Sequence, residues 1–222
     1  MFSEISYFVF CDVDETLLTF KSMIHFLNFL KEYKNVDNKI SKKAHTFLKR
    51  MCYLKSVGMP RELLNWYYYW FFKKISVATI QTLSIEWFNS LDQKKIICSR
   101  VLKEIIKHKK KGAKIVLVSG SFLFCLKPII SLIGAYDCLC TNQMIDAKNR
   151  FTGKIQSPQV IGHGKAKAIQ IFMKNHTNIK LQDCYAYGDD ISDIPMLESV
   201  GHPVAMAGIL SKYAEDQGWQ II

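Results

Sequence analysis

The stretch Ile5-Ser6-Tyr7-Phe8-Val9-Phe10-Cys11-Asp12-Val13-Asp14-Glu15-Thr16 joins an apolar run directly to two carboxylates placed two residues apart. Ile5 to Cys11 is rich in β-branched and aromatic residues and stops abruptly at Asp12. That pattern predicts a buried strand ending in an acidic loop. Residues two apart at a strand end project to the same side. Asp12 and Asp14 are therefore expected to crowd together and to repel each other unless a cation neutralises them.

Outward from this segment, Ser22 to Lys111 carries helical spacing, with Phe26, Leu27, Phe29 and Leu30 opening it. Breaks fall at Asn35 to Asn38 and at Gly58-Met59-Pro60, and Pro60 suits the first turn of the helix that follows. From Ala113 the pattern changes to strand–helix alternation. Lys114 to Val118, Tyr136 to Cys140, Cys184 to Tyr187 and Pro203 to Ala205 read as strands, and Phe151 to Ile155 as one arm of a hairpin. Helices are expected over Phe122 to Ile133, Lys165 to Lys174 and Ile194 to Ser199. The fold class is α/β: a three-layer, Rossmann-like core with a mostly parallel sheet, interrupted by an inserted all-helical cap. The boundaries drawn are 1–18 and 95–222 for the core and 19–94 for the cap.

Ligands of open α/β sheets bind beyond the carboxyl ends of the strands. Asp12 and Asp14, then Ser119, then Asp189, Asp190 and Asp193 all follow predicted strands. Asp12, Asp14 and Asp189 form a hard, oxygen-rich set that suits Mg²⁺ rather than zinc. Lys165 opens a predicted helix.

Together these segments resemble the haloacid dehalogenase superfamily of phosphohydrolases, and more closely its phosphoserine-phosphatase-like subfamily IB. Four motifs occur in order: Asp12-Val13-Asp14-Glu15-Thr16; Val116-Leu117-Val118-Ser119-Gly120-Ser121; Lys165 within Gly162-His163-Gly164-Lys165-Ala166-Lys167; and Gly188-Asp189-Asp190-Ile191-Ser192-Asp193. The resemblance covers almost the whole chain. It implies a phosphoric monoester hydrolase in which Asp12 is the nucleophile and forms an aspartyl-phosphate. Asp14 would be the general acid and base, with a pKa kept above that of Asp12. Asp12, Asp189 and the backbone carbonyl of Asp14 would hold Mg²⁺. Ser119, Gly120 and Lys165 would bind the phosphoryl oxygens. Thr16 would order the first loop, and either Asp190 or Asp193 would orient Lys165 or complete the surroundings of the metal.

The resemblance has a gap in the substrate region. Phosphoserine phosphatases carry a glutamate soon after the first motif, whereas here Leu17-Leu18-Thr19-Phe20-Lys21-Ser22 follows Thr16 and no acid occurs before Glu32. Arg50 and Arg61 are the candidate cap arginines. The expected substrate is thus a small phosphorylated metabolite, not specifically phosphoserine.

The formal net charge is +11, concentrated in Lys31 to Lys55 and Gln93 to Lys114. That surplus keeps two alternatives open: a peripheral lipid-phosphate phosphatase, and a non-catalytic basic binding protein on the same fold. No nucleic-acid motif accompanies the lysines, and nucleic acid is not expected as a partner. In the aromatic run Trp66 to Phe72, helical spacing puts Leu63, Trp66 and Trp70 on one face with Tyr67 and Phe71 beside them. The simplest expectation packs that stripe inside the cap and leaves Tyr68, Tyr69 and Phe72 partly outside, where a peripheral membrane contact is conceivable. The apolar stretch Ile115 to Cys140 is cut by Ser119-Gly120-Ser121 and Lys127-Pro128, below the roughly 18 residues of a membrane span. Met1 to Phe10 lacks a basic leader and is not expected to be a signal peptide. Seven irregularly spaced cysteines without a Cys-x-x-Cys pair point to reduced thiols and a cytoplasmic setting.

Overall fold

Strand β1 (Phe8–Asp12) is buried at every position because its side chains alternate between two apolar layers. Phe8 and Phe10 join one cluster, whereas Val9 and Cys11 join the other. The computed structural model describes residues 6–222, so Ile5, the expected start of this strand, lies outside the described residues.

After β1 the chain enters six α-helices: α1 (Ser22–Glu32), α2 (Asn38–Ser56), α3 (Arg61–Trp70), α4 (Val77–Asn89), α5 (Gln93–Ile96) and α6 (Ser99–Lys110). Their starts are set by side chains that satisfy the otherwise unpaired first N–H groups. Asp37 accepts from the N–H groups of Lys39 and Ile40 at 2.8 and 3.3 Å, and the Ser76 hydroxyl accepts from Thr79 N at 3.0 Å. The insertion leaves and rejoins the core side by side: Leu18 bridges Ile97, Thr19 N donates to Ile96 O at 2.9 Å, and Cys98 N donates to Leu17 O at 2.8 Å.

The remainder alternates: β2 (Lys114–Ser119), α7 (Leu123–Ile133), β3 (Asp137–Cys140), the antiparallel hairpin β4 (Gln143–Ile145) and β5 (Phe151–Ile155), α8 (His163–Met173), β6 (Tyr185–Gly188), α9 (Ile194–Leu197), β7 (His202–Ala205), α10 (Ser211–Asp216) and β8 (Gln220–Ile221). The main sheet has the order β3-β2-β1-β6-β7-β8, and all its pairs are parallel. Val101 and Ile105 of α6 and Leu126 and Ile129 of α7 share one apolar cluster with Val9 and Cys11; Ala168, Ile169 and Phe172 of α8 share the other with Phe8 and Phe10. This is the three-layer α/β arrangement expected. The connection from β2 lies on one side of β1 and β6 on the other, which opens a crevice at the carboxyl end of β1.

The aromatic run of α3 is turned the other way from the expectation. Tyr68, Tyr69, Phe71 and Phe72 are fully buried, whereas Leu63, Trp66 and Trp70 are 54, 46 and 43% exposed. An all-aromatic run offers more than one apolar stripe, and spacing alone does not fix which one faces inward. The phase is decided by the partners: Phe72 packs 4.9 Å from Phe122 and 5.9 Å from Phe151, centroid to centroid, while Tyr68 lies 6.2 Å from Phe122. Burial of that kind contributes about 2–3 kcal/mol per ring. Backbone bonds from Lys74 N to Phe151 O and from Phe151 N to Ile75 O, 2.8 and 3.0 Å, tie the segment after α3 to the β4–β5 hairpin. Among the described residues, no helix is long and apolar enough to cross a membrane.

Candidate active site

Asp12 ends β1, Ser119 ends β2, and Asp189 follows β6, so three neighbouring parallel strands deliver their polar ends to one crevice. Lys165 enters from the first turn of α8 and is 3% exposed. A buried ammonium at a helix N-terminus is unfavourable by itself, because both desolvation and the helix dipole oppose it. Two carboxylates compensate. Lys165 Nζ donates to Asp12 Oδ1 and, at 2.6 Å, to Asp193 Oδ1. Burial would lower the Lys165 pKa, but Asp12 and Asp193 outweigh it and raise it above the ordinary lysine range.

Of Asp190 and Asp193, it is Asp193 that contacts Lys165. Asp193 is 1% exposed, and its second oxygen accepts from the N–H groups of Asp189 and Asp190 at 3.1 and 3.2 Å. Asp190 instead pairs with Arg61 of α3, which also donates to Ser192 Oγ at 2.9 Å. Gly188 is required for this packing: a Cβ there would lie 2.7 Å from the Asp193 Cβ. Lys167 is exposed and takes no part, and His163 is exposed as well.

The loop after β1 is irregular. Glu15 adopts φ 66°, uncommon for a residue with a side chain, and Leu18 N closes back on Val13 O at 2.7 Å. This turn leaves Glu15 outside, paired with Lys21 at 2.9 Å, and sends Asp14 inward. Asp14 Oδ1 accepts from Ser22 N at 2.9 Å and so caps α1. Thr16 Oγ1 donates to Asp189 Oδ1 at 2.8 Å, which couples the first loop to the fourth motif. Ser119 is 2% exposed, and its Oγ accepts from Ser121 N at 3.0 Å. The carbonyl of Gly120 accepts from Tyr69 Oη at 2.5 Å and Asn65 Nδ2 at 3.2 Å, so α3 sits directly over the second motif.

Carboxyl atoms of Asp12, Asp189 and Asp193 lie within 4.8 Å of one another. Two buried acids and the half-buried Asp189 face a single ammonium, and the imbalance shows in the titration of Asp12 and Asp189. Burial raises the Asp12 pKa well above the carboxylate range, opposed by Lys165, and burial also raises Asp189, opposed by Thr16. Burial raises Asp14 too, against the Ser22 hydrogen bonds. A divalent cation beside Asp12 and Asp189 would restore the balance, and the donor set fits Mg²⁺: hard oxygens only, with neither thiolate nor imidazole. Asp193 is not a suitable ligand, because both of its oxygens are already engaged.

Asp12, Asp14, Ser119, Gly120 and Lys165 line a single cavity of about 340 Å³ between α1, α2, α3 and the strand ends. Met23, Ile24, Met51 and Leu64 supply apolar wall, and Arg61, Lys21 and Lys55 stand among its polar residues. A larger cavity of about 550 Å³, among Tyr185, Leu197 and Trp219, brings together none of these acids. Arg61 was a sequence candidate only as a cap arginine. Asn65 carries no signal in the sequence, and Tyr68 and Tyr69, expected partly outside the α3 stripe, are buried instead, because their positions depend on how α3 docks.

Comparison with known proteins places this geometry in context. The family model described as haloacid dehalogenase-like hydrolase matches residues 9–198. A probable phosphatase of Mycobacterium tuberculosis (strain ATCC 25618 / H37Rv) is 34% identical over 120 residues, covering 53% of this chain and 41% of that protein. The matched part spans less than half the length of the curated relatives ranked with it. A protein of unknown function from Bordetella pertussis Tohama I superposes with a TM-score of 0.85 at 20% identity, covering 99% of both chains. A substrate-bound phosphoserine phosphatase superposes at 0.66 and 15% identity, covering 99% of this chain and 94% of that one. At these identities the structural likenesses establish the fold.

Proposed function

The chain belongs to the haloacid dehalogenase-like hydrolase family, and on that premise we propose that it is a magnesium-dependent phosphomonoesterase acting on a small phosphorylated metabolite. Residues 1–18 and 95–222 form the catalytic core in this reading, and 19–94 the cap. The observation that supports it most directly is that Asp12, Asp14, Ser119 and Lys165 line one cavity beneath the inserted helices.

The reaction follows from the positions of these groups. A carboxylate oxygen of Asp12 attacks phosphorus, and the bond from phosphorus to the alcohol oxygen breaks. Asp14, whose pKa is raised by burial, gives its proton to the departing alkoxide. Lys165 and the Ser119 hydroxyl hold phosphoryl oxygens as charge builds on them. In the second step Asp14 takes a proton from water, and the oxygen of that water attacks the phosphorus of the aspartyl-phosphate. The Asp12–phosphorus bond breaks, which releases inorganic phosphate and restores both carboxylates to their starting charge. Mg²⁺ held by Asp12, Asp189 and the Asp14 carbonyl would neutralise the phosphoryl charge. Thr16 keeps Asp189 in place, and Asp193 keeps Lys165 in place.

The expected result is hydrolysis of an aryl phosphate that requires Mg²⁺ or a similar divalent ion and is abolished in Asp12→Asn. Full turnover by that variant, or in excess chelator, would sink the mechanism. A peripheral lipid-phosphate phosphatase is the second reading, favoured by the exposure of Leu63, Trp66 and Trp70 on α3. Co-sedimentation with anionic vesicles that is lost in high salt supports it, and no sedimentation counts against it. A cytoplasmic location belongs to the same proposal; its seven cysteines are all unpaired, as a reducing compartment would leave them.

A further inference from the structure

The inserted helices present side chains of one kind to the 340 Å³ cavity. Ile24, Met59 and Leu64 line it and are each partly exposed, and Met23 and Met51 line it with 8 and 6% of their surface still open. They come from α1, α2, α3 and the turn before α3, so the fold assembles this wall from separate segments. Three of the five are methionines, whose flexible thioethers adapt to ligands of varied outline.

The polar groups lining the same cavity are engaged or turned to water. Asp12, Asp14, Ser119 and Lys165 serve the phosphoryl end in the mechanism above. Asn65 donates to the Gly120 carbonyl at 3.2 Å and accepts from Gln159 Nε2 at 2.7 Å. Asp190 accepts from Arg61 and, at 2.9 Å, from Ser192 N. Arg61 and Lys21 pair with Asp190 and Glu15 and keep 40 and 41% of their side-chain surface in water. Lys55 is exposed. A hydroxyl brought against Ile24, Met59 and Leu64 gives up its water and finds no partner on them, which is costly. A methylene brought to the same place leaves water for an apolar wall, which is favourable.

We infer that the alcohol released here is apolar: the cavity takes phosphomonoesters of unsubstituted alkyl or aryl alcohols in preference to those of polyols, sugars among them. This rests on the phosphomonoesterase reading for the placement of the phosphoryl end.

The test is calorimetric titration of the whole protein, with Mg²⁺ present, using ethyl-, butyl- and 3,4-dihydroxybutylphosphonate. Phosphonates are not cleaved, so affinity is read without turnover. At about three- to fourfold per buried methylene, the butyl compound should bind about tenfold more tightly than the ethyl. Its heat-capacity change on binding should also be the more negative. The dihydroxy compound, with the same carbon chain, should bind about tenfold more weakly than the butyl. Ile24→Gln and Leu64→Gln place a helix-forming polar residue of similar size at partly exposed positions. Each should cut the butyl-over-ethyl ratio several-fold, and Leu64→Met should retain it; a residue with a merely structural role would weaken all three ligands alike. Equal affinity for ethyl and butyl, tighter binding of the dihydroxy compound, a ratio unmoved by both glutamine substitutions, or no binding at all overturns the inference. Aryl-phosphate turnover is measured in parallel. Turnover without the affinity order removes this inference alone, whereas the order without turnover removes the phosphatase reading alone.

Discussion

Replacing Asp193 by asparagine tests the centre of the site with almost no change in shape. The carboxylate accepts from the Lys165 ammonium at 2.6 Å through one oxygen and from two backbone N–H groups at 3.1 and 3.2 Å through the other. An amide has one oxygen for these three donors, and its NH₂ must then face either an ammonium or a pair of N–H groups. Breaking a buried charge pair from one side typically costs about 3–5 kcal/mol. Lys165 keeps Asp12, so a smaller loss of roughly 2–3 kcal/mol is expected, just below that range. For a chain of this size that corresponds to a fall in melting temperature of roughly 5–10 °C. The same change frees Lys165 to move toward Asp12, so kcat on an aryl phosphate should fall more than tenfold with a smaller change in KM. Asp190→Asn is the control: its group is partly exposed and pairs with Arg61 rather than Lys165, so its stability loss should stay below about 1 kcal/mol. Thermal denaturation and steady-state kinetics decide the matter. A melting temperature and rate for Asp193→Asn equal to those of the unaltered protein, or larger losses in Asp190→Asn, would show that Lys165 is not held as argued.

Three other outcomes are expected. Lys165→Ala should cut kcat by about 10²–10³, whereas exposed Lys167→Ala should change it less than twofold; equal losses would reassign the catalytic lysine. Gly188→Ala should reproduce the Asp193→Asn defect, because the added methyl displaces Asp193; unaltered stability and kcat would show that the strand end yields instead. The buried His108 bridges Tyr7 Oη and Tyr187 Oη at 3.0 and 2.9 Å, and burial lowers its pKa. A histidine depressed below its unfolded value of about 6.5 stabilises the fold above that pH and loses the contribution as pH falls through the folded value. The melting-temperature gap between the unaltered protein and His108→Gln should therefore narrow from about pH 7.5 to about pH 5.5. A gap that widens on acidification would contradict the sign.

The acids and strands were legible in the sequence because their signals are local. An apolar run that stops at Asp12, and another that stops at Ser119, announce both the strand and its end. Asp12, Asp14 and Ser119 could thus be gathered from order and spacing, and Lys165 joined them through the resemblance of its segment to the family's third motif. The division of labour between Asp190 and Asp193 could not, since it depends on the tight turn over Gly188 that folds Asp193 back beneath Lys165. Nor could the phase of α3, where seven successive aromatic residues blur the inward stripe and the decision falls to Phe122 and Phe151, distant in sequence. The last elements, α10 and β8, were not anticipated. They are short, and β8 is fixed by the ladder it makes with β7 rather than by its own pattern.

The helical insertion begins and ends at adjacent points, where Leu18 and Ile97 pair as a single antiparallel bridge. From the standpoint of the sheet, everything between them is a loop closed at its base. Its length and contents can change without shifting β1 against β2, whose register from Phe8–Lys114 to Asp12–Val118 fixes the place of the Asp12 carboxylate. Such a base makes the molecule modular in an evolutionary sense. On the proposed mechanism the bond-breaking groups belong to the strands, while the walls that would meet the alcohol, from Met23 to Tyr68, lie together within the insertion. Divergence of substrate preference among relatives is then expected to concentrate in that insertion, with the strand-end acids left untouched.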